Sequence, residues 1–303
     1  MLNSAQTNQF KATQREFRRT IKRLAKRALK NLRSDSPAFK ETKVRKNKPM
    51  DYLRCVEFPL SYQLLTFKDG MKILDLASPQ WFSLFLAYRF PRVEFVYANI
   101  LESELRQIKD VAACLGLKNI SYRVEDGRRL NFPGAFFDHA VSISTIEHIA
   151  ADIGGDVQTL SEINRVLKKG GEFTLSVPLK KERGLVYDSA HSVWERQTQP
   201  NNFYMRNYDL QQVEELAQNT GFTLMEKLFM FERPGLFAME YWESEGKHRK
   251  EKDGVIKLKK KIDKLIGLRL EYWLASRYIR LENEAKPADR LINLVAKLVK
   301  RQP

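Results

Sequence analysis

Apolar residues follow two alternating spacings over residues 72–231 of this 303-residue chain. Short, nearly continuous apolar runs alternate with stretches in which apolar residues recur every three or four positions. The first pattern is typical of buried strands and the second of helices packed on them. The runs predict strands at 72–76, 93–99, 120–124, 136–144, 172–177 and 222–231. Strands that alternate with helices predict an α/β fold, an open sheet with helices on both faces.

The first predicted strand contains an acidic residue near its end and is followed at once by a helix. The strand runs from Lys72 to about Leu76 and includes Asp75. Ser78 then suits an N-cap and Pro79 the first helical position, where its missing N–H costs nothing. In open α/β sheets ligands bind at the carboxyl ends of strands, and helix N-termini offer N–H groups to anions. We therefore expect a ligand at this turn.

The composition of the turn restricts that ligand. A dinucleotide site needs Gly-x-Gly-x-x-Gly, and no glycine lies between Leu76 and Trp81. Asp75 at the strand end would also repel phosphates. S-adenosylmethionine has no phosphate, carries a sulfonium and an amino group, and has one carboxylate that suits a helix N-terminus. S-adenosylmethionine is therefore the predicted cofactor.

Three stretches together resemble one family. Asp75 precedes a Leu-Ala-Ser-Pro turn, Phe-Asp and Glu-His flank the fourth strand within residues 136–148, and residues 162–171 lead into the fifth strand. On these residues the chain resembles the class I S-adenosylmethionine-dependent methyltransferases, in particular the methyltransferase type 11 domain group, over about residues 51–234. The resemblance implies a Rossmann-like methyltransferase sheet and methyl transfer as the activity.

The resemblance also implies a cofactor site at the ends of the first four strands. Its candidate residues are Asp75, Leu76, Ala77, Ser78, Asn99, Glu125, Asp126, Gly127 and Ser144. Ala77 and Pro79 stand where the family has glycines, and a fold that has lost its cofactor is the alternative. Asn99 stands where an acidic residue usually binds the two ribose hydroxyls; it would contact the ribose through its amide or would only cap the next helix. By the resemblance, Asp126 meets the adenine amino group.

Aromatic and basic residues cluster between residues 178 and 209, after the fifth strand. We interpret this stretch as a lid that binds the methyl acceptor. Its candidate substrate-binding residues are Tyr187, Trp194, Tyr204 and Arg206. His148 and His191 are candidate general bases, needed if the acceptor is protonated; a packed surface imidazole is the alternative for His148. Glu57, on a predicted helix at 51–67, is a weaker candidate for the cofactor site or a surface partner of a nearby arginine.

The excess of positive charge lies at the two ends of the chain. The formal net charge is +16. Residues 1–48 hold 15 Lys/Arg against 3 Asp/Glu (+12), residues 247–303 hold 17 against 7 (+10), and residues 49–246 have a net charge of −6. We therefore predict a basic N-terminal helix and linker (1–48), the methyltransferase domain (49–246) and a basic C-terminal helical extension (247–303).

Both ends show helical periodicity. Residues 11–33 predict a basic amphipathic helix, residues 34–49 a linker, and residues 254–266 and 289–300 two further basic amphipathic helices. Three interpretations compete for the ends: binding to an anionic membrane surface, binding to nucleic acid, which is the less favoured partner, and docking on the domain with a solvated basic face. A cleavable targeting peptide is a fourth interpretation for the N-terminal helix.

The remaining composition bounds the function. Cys55 and Cys114 lie far apart and predict neither a disulfide nor a metal site. No apolar run reaches 18 residues, so neither a membrane span nor a secretory signal is expected, and we predict a cytoplasmic protein, extended by a peripheral position on the inner membrane face. The predicted function is methyl transfer to a small-molecule, lipid or glycan acceptor. The alternatives are an RNA or protein methyltransferase and an inactive scaffold.

Overall fold

The computed structural model describes residues 4–149, 154–187, 203–238, 249–266, 270–284 and 290–301. Contacts divide the chain into two compact units. The first comprises residues 1–63 and 228–292, and the second comprises residues 64–227 and 293–303. These units are defined by packing, so the division by function into 1–48, 49–246 and 247–303 stays a prediction.

Helices and strands alternate through the second unit, as the hydrophobic pattern predicts. The helices are α1 Ser4–Ala28, α2 Pro37–Asn47, α3 Arg54–Gln63, α4 Gln80–Arg89, α5 Glu102–Leu115, α6 Gly155–Val166, α7 Leu210–Asn219, α8 Arg249–Ile266 and α9 Leu270–Tyr278, with a short 3-10 helix at Ile146–His148. The strands are β1 Lys72–Leu76, β2 Glu94–Asn99, β3 Ile120–Val124, β4 Phe137–Ile143, β5 Leu167–Val177, β6 Gly184–Tyr187, β7 Phe203–Asn207, β8 Phe222–Glu232, β9 Ile279–Glu282 and β10 Leu291–Lys300.

The strand order of the large sheet is β3-β2-β1-β4-β5-β10-β8-β9. The pairs from β3 to β5 are all parallel, and β10 pairs antiparallel with β5. Helices α4, α5 and α6 pack on this sheet, and β6 and β7 form a separate antiparallel hairpin. The predicted fold class is confirmed. Because the parallel strands share a direction, the carboxyl ends of β1, β2 and β4 lie along one edge.

The prediction of a helix at 289–300 is wrong. Residues 291–300 form β10, whose Leu294 and Val295 pair with Val177 and Ser176 of β5. Leu294, Val295 and Leu298 are all buried. Apolar residues at helical spacing are also found in a strand that is covered on both faces, and periodicity alone does not separate the two cases. Burial on both faces decides for the strand here.

The predicted linker at 34–49 is also wrong, because it contains α2. The Ser36 side chain accepts a hydrogen bond from the Phe39 N–H, and Pro37 occupies the first helical position. This is the same N-cap signal that the sequence carries at residues 78–79. The predicted helices at 51–67 and 254–266 are confirmed as α3 and α8, with different ends.

The N-terminal helix α1 is confirmed, and its apolar side is buried within the first unit. Phe17, Ile21 and Leu24 are at most 1% exposed. The ring of Phe17 lies 6.0 Å from that of Phe58 in α3 and 5.7 Å from that of Tyr62. Of the competing interpretations, docking on the protein therefore explains the apolar side, and only the basic side of α1 remains for a partner. Among the described residues, no helix is long and apolar enough to cross a membrane.

Candidate active site

A cavity of about 250 Å³ lies at the carboxyl ends of β1, β2 and β4, within the second unit. The residues that line it are Ala77, Ser78, Pro79, Gln80, Tyr97, Asn99, Leu101, Glu104, Ser144, Thr145 and His148. Five of the predicted site residues are among them: Ala77, Ser78, Asn99, Ser144 and His148. The lining contains no lysine or arginine and one carboxylate, so it does not offer the cations that a dinucleotide's phosphates require.

Two lining residues have left-handed backbone conformations. Ala77 has φ 52° and Ser144 has φ 48°, which costs a residue with a side chain roughly 1–2 kcal/mol. The Ala77 N–H donates to the Ala98 carbonyl at 2.8 Å, and the Ser144 N–H donates to the Ser176 carbonyl at 3.1 Å. Hydrogen bonds to neighbouring strands thus hold both residues in place. Strained backbone concentrates at functional sites, so the loop keeps the bend of a glycine without having one.

Asp75 organises the first loop from below and is not among the lining residues. Its side chain is 1% exposed. Oδ1 accepts a hydrogen bond from the Ser78 N–H at 3.1 Å, and Oδ2 accepts one from the Ser83 hydroxyl at 2.6 Å. Burial raises the pKa of this carboxyl to about 6. Leu76 is likewise buried in β1, and its carbonyl accepts from the Ser142 hydroxyl.

The predicted N-cap of α4 is shifted by one residue. Pro79 is the N-cap and the helix begins at Gln80. The Ser78 hydroxyl instead accepts a hydrogen bond from the Ile143 N–H at 3.1 Å, and the Ser78 carbonyl accepts one from the Tyr97 hydroxyl at 2.9 Å. These bonds tie the loop to β4 and β2. Pro79 and Gln80 lie on the cavity wall, so the positive end of α4 faces the site.

Asn99 both lines the cavity and holds the start of α5. Its Oδ1 accepts a hydrogen bond from the Leu101 N–H at 2.9 Å, as the capping interpretation expects. Glu104, in the first turn of α5, is the carboxylate of the lining, and sequence reasoning missed it. The Gln80 side-chain amide donates to one of its carboxylate oxygens. The sequence signal was its position five residues after Asn99, on a helix that starts at this edge.

The acidic loop after β3 is not among the residues that line the cavity. Arg128 binds both carboxylate oxygens of Asp126, at 2.7 to 3.0 Å, and this hydrogen bonding lowers the pKa of Asp126. Glu125 accepts a hydrogen bond from the Asn131 N–H at 2.9 Å. A Cβ on Gly127 would meet Leu76 Cδ2 at 3.1 Å, so this glycine allows the loop to pack closely on β1.

His148 reaches the cavity from the 3-10 helix after β4. Its Nδ1 lies 2.8 Å from the Tyr204 carbonyl oxygen of β7, and the two rings pack with centroids 5.2 Å apart. Because a carbonyl oxygen only accepts, Nδ1 carries the hydrogen. Nε2 lies 3.9 Å from Oε1 of the buried Glu147. The histidine is thus oriented from two sides at the rim that Ser144 and Thr145 form.

Comparison with known proteins gives the family. The family described as a methyltransferase domain matches residues 67–228, more than half of the chain. The chain belongs to this methyltransferase family. No curated protein matches it. The protein is therefore an S-adenosylmethionine-dependent methyltransferase, as predicted.

Solved structures of low sequence identity share its fold. A methyltransferase from Bacillus halodurans is 17% identical with a TM-score of 0.52, covering 81% of this chain and 99% of that one. An S-adenosylmethionine-dependent methyltransferase from Methanosarcina mazei is 15% identical with a TM-score of 0.50, covering 81% and 98%. The [4+2]-cyclase SpnF is 14% identical with a TM-score of 0.53, covering 85% and 86%. Since a cyclase shares this fold, the fold alone does not specify the reaction.

The chemistry of the methyltransferase's cavity fits its cofactor. The N-terminus of α4 suits the cofactor's carboxylate, and Glu104 is an acceptor for hydroxyl or amino groups. The side chains of Ser144 and Thr145 add uncharged polar groups. Residues that hold S-adenosylmethionine in this site would therefore come from the loops after β1, β2 and β4.

Other predicted residues lie elsewhere in the methyltransferase. Arg206 is 4% exposed; it donates to the Ile149 carbonyl and lies 3.4 Å from the buried Asp156 carboxylate, so its contacts are structural. Tyr187 is 52% exposed on β6. Glu57 is buried and paired with Arg54, where a surface pair was the alternative.

Two predicted residues, His191 and Trp194, lie outside the described residues. The acceptor-binding and general-base roles assigned to them stay predictions. Among the described residues, no group of His, Cys, Asp and Glu side chains could hold a metal ion.

Proposed function

We propose that this methyltransferase methylates a hydroxyl group of a partly apolar acceptor, a lipid or a lipid-linked molecule, with His148 as the general base. The observation that carries the proposal is the position of His148 at the cavity, with Nδ1 committed to the Tyr204 carbonyl. In the neutral imidazole, Nε2 is then the nitrogen that takes a proton. A hydroxyl acceptor must lose its proton during transfer, and a positioned base accelerates such a step by roughly 10²–10⁴-fold.

Glu147 supports this role. Its carboxylate lies 3.9 Å from His148 Nε2, where it would stabilise the imidazolium that forms when Nε2 takes the proton. S-adenosylmethionine, when bound, supplies an electrophilic methyl group. The contribution of the chain is to align the acceptor oxygen, to exclude water and to hold the proton on His148. Ser144 and Thr145, at the same rim, would orient the acceptor.

The hairpin of β6 and β7 supports an apolar acceptor. Leu185 and Tyr187 lie two residues apart on β6, so they share a face of the strand. They are 50% and 52% exposed. Their partner strand β7 carries Tyr204, whose carbonyl orients His148. The element that holds the base thus also presents apolar side chains.

A basic stripe on α1 supports a position at an anionic membrane. We define the stripe as the exposed residues Lys11, Arg15, Arg19, Arg23, Lys26 and Lys30. Its members are three or four residues apart, so they form one line of about 28 Å along the helix. The neighbouring helix α9 exposes Trp273 by 52%, and the Arg18 guanidinium packs over the Tyr272 ring of α9 at 4.6 Å. Basic residues beside an exposed tryptophan suit a lipid interface better than a solvated loop.

Transfer experiments test the base. Methyl transfer from labelled S-adenosylmethionine is measured against phenols, glycans and lipid extracts, and the accepted class is then used for His148→Gln. We expect the rate to fall by about 10²–10⁴-fold, while the affinity for S-adenosylhomocysteine changes less than about threefold. His139→Gln is the matched control, since His139 is buried on β4 and lies 3.5 Å from Glu172. A wild-type rate in His148→Gln would refute the assignment.

Vesicle binding tests the membrane surface. Sedimentation with phosphatidylserine-containing vesicles compares the wild type with a triple variant, Arg15→Gln, Arg19→Gln and Lys26→Gln. At about 1 kcal/mol per basic residue, the loss is on the order of 100-fold. The control replaces exposed basic residues of the other unit, and its sites are Lys109, Lys118 and Arg123. Equal loss in both variants, or salt-dependent retention by RNA without vesicle binding, would contradict the proposal.

A further inference from the structure

The lining of the cavity contains a single carboxylate, that of Glu104. This residue is half-buried in the first turn of α5. One of its oxygens, Oε2, accepts a hydrogen bond from the Gln80 side chain. Within the described residues, the other oxygen, Oε1, has no hydrogen-bond partner. A carboxylate fixed on one side and open on the other is suited to accept from a ligand's O–H or N–H groups.

Asn99 lacks this capacity. Its only acceptor atom, Oδ1, is used by the Leu101 N–H at 2.9 Å, and its amide nitrogen only donates. The two ribose hydroxyls of a nucleoside donate two hydrogens and need an acceptor. On the β2 side of the cavity, Glu104 is the lining residue with an open carboxylate oxygen.

We propose that Glu104 binds the ribose hydroxyls of S-adenosylmethionine, in place of an acidic residue at the end of β2. The strand order β2-β1-β4 puts residues after β2 and residues after β4 on opposite sides of the first loop. His148 follows β4, so the reacting methyl group belongs on that side. The N-terminus of α4 takes the amino-acid carboxylate, and the nucleoside therefore falls to the β2 side, where Glu104 lies. The inference rests on the cofactor site and not on His148 or the acceptor.

Calorimetry with two ligands tests it. S-adenosylhomocysteine carries the ribose and the amino-acid group, and 5′-methylthioadenosine carries the ribose without that group. We expect Glu104→Ala to weaken both by about 30-fold, the loss of charge-assisted hydrogen bonds. Glu104→Gln keeps an acceptor for Gln80 and weakens both by about five- to tenfold. Glu102→Gln, two residues earlier, exposed and 3.6 Å from Arg106, is the matched control and stays within about twofold.

Two further measurements sharpen the result. The 2′,3′-dideoxy form of methylthioadenosine binds the wild type about as weakly as the full ligand binds Glu104→Ala, and Glu104→Ala weakens it no further. Asn99→Asp in the Glu104→Gln background returns a carboxylate to the end of β2 and recovers most of the affinity. Thermal unfolding of each variant within a few degrees of the wild type shows that the fold is intact.

Three outcomes overturn the proposal in distinguishable ways. If Glu104→Ala weakens S-adenosylhomocysteine but not methylthioadenosine, the carboxylate meets the amino group rather than the ribose. If neither ligand is weakened, Glu104 only holds Gln80. If the folded wild type binds neither ligand, the cofactor site itself is misplaced, whereas a failure of His148→Gln alone would leave the assignment of Glu104 standing.

Discussion

Replacing Asp75 by asparagine separates its structural role from a ligand-binding one. Asp75 is 1% exposed, and burial raises its pKa from 3.8 to about 6. Its hydrogen bonds come from the Ser78 N–H and the Ser83 hydroxyl. Asparagine has the same shape, keeps an acceptor for the Ser78 N–H, and does not ionise. The variant therefore removes the charge while retaining the loop.

The magnitude follows from the pKa. A rise of about two units corresponds to about 3 kcal/mol. The unfolded chain ionises near pH 3.8 and the folded chain near pH 6, so between these values unfolding releases a proton and the free energy of unfolding falls as the pH rises. The cost is fully present above about pH 6 and absent below pH 3.8. We expect the stability of Asp75→Asn relative to wild type to increase by about 3 kcal/mol between pH 4 and pH 7.5.

Urea unfolding followed by circular dichroism, at intervals from pH 4 to 8, measures this difference. Asp126→Asn is a control of opposite sign, because hydrogen bonding from Arg128 lowers the pKa of Asp126 and stabilises the fold above the unfolded pKa. Parallel stability curves for wild type and Asp75→Asn would refute the burial reasoning. The affinity for S-adenosylhomocysteine should change less than about threefold, since Asp75 is not among the lining residues.

Three further substitutions test the packing by urea unfolding. Gly127→Ala should destabilise by about 1–3 kcal/mol, because a Cβ would lie 3.2 Å from Thr159 Cγ2; an unchanged midpoint would show that the loop has room. Arg206→Met leaves the buried Asp156 carboxylate without its cation and should cost about 3–5 kcal/mol, whereas a cost below about 1 kcal/mol would mean that the pair is solvated. Val295→Asp puts a charge into β10, where this residue is fully buried, and should prevent folding; a folded variant would contradict the strand assignment.

Local signals predicted most of the parallel sheet, because each strand ends at a turn or a helix start that the sequence marks. The last strand could not be predicted in this way. Residues 291–300 are apolar at both helical and strand spacings, and only their pairing with β5 makes them a strand. Ser36 and Pro37 did carry a helix signal, which the basic composition of that region obscured.

The candidate site was predictable in part for the same reason. Ala77, Ser78 and Ser144 follow strands directly, so their place at the sheet edge is set by the sequence. Glu104 is brought to the cavity by the direction in which α5 leaves β2, and Arg206 is taken from it by a buried partner 50 residues away in the chain. Such long-range contacts leave no local pattern.

The central claim is that a first loop without glycine, bent at Ala77, still holds S-adenosylmethionine at the ends of β1, β2 and β4. Isothermal titration of the full chain with S-adenosylhomocysteine tests it most directly, with NAD⁺ titrated in parallel. We expect one site per chain with a dissociation constant on the order of micromolar, weakened by Glu104→Ala, and no heat from NAD⁺. Absence of binding by S-adenosylhomocysteine at millimolar concentration, or binding that Glu104→Ala and Ser144→Trp both leave unchanged, would contradict it.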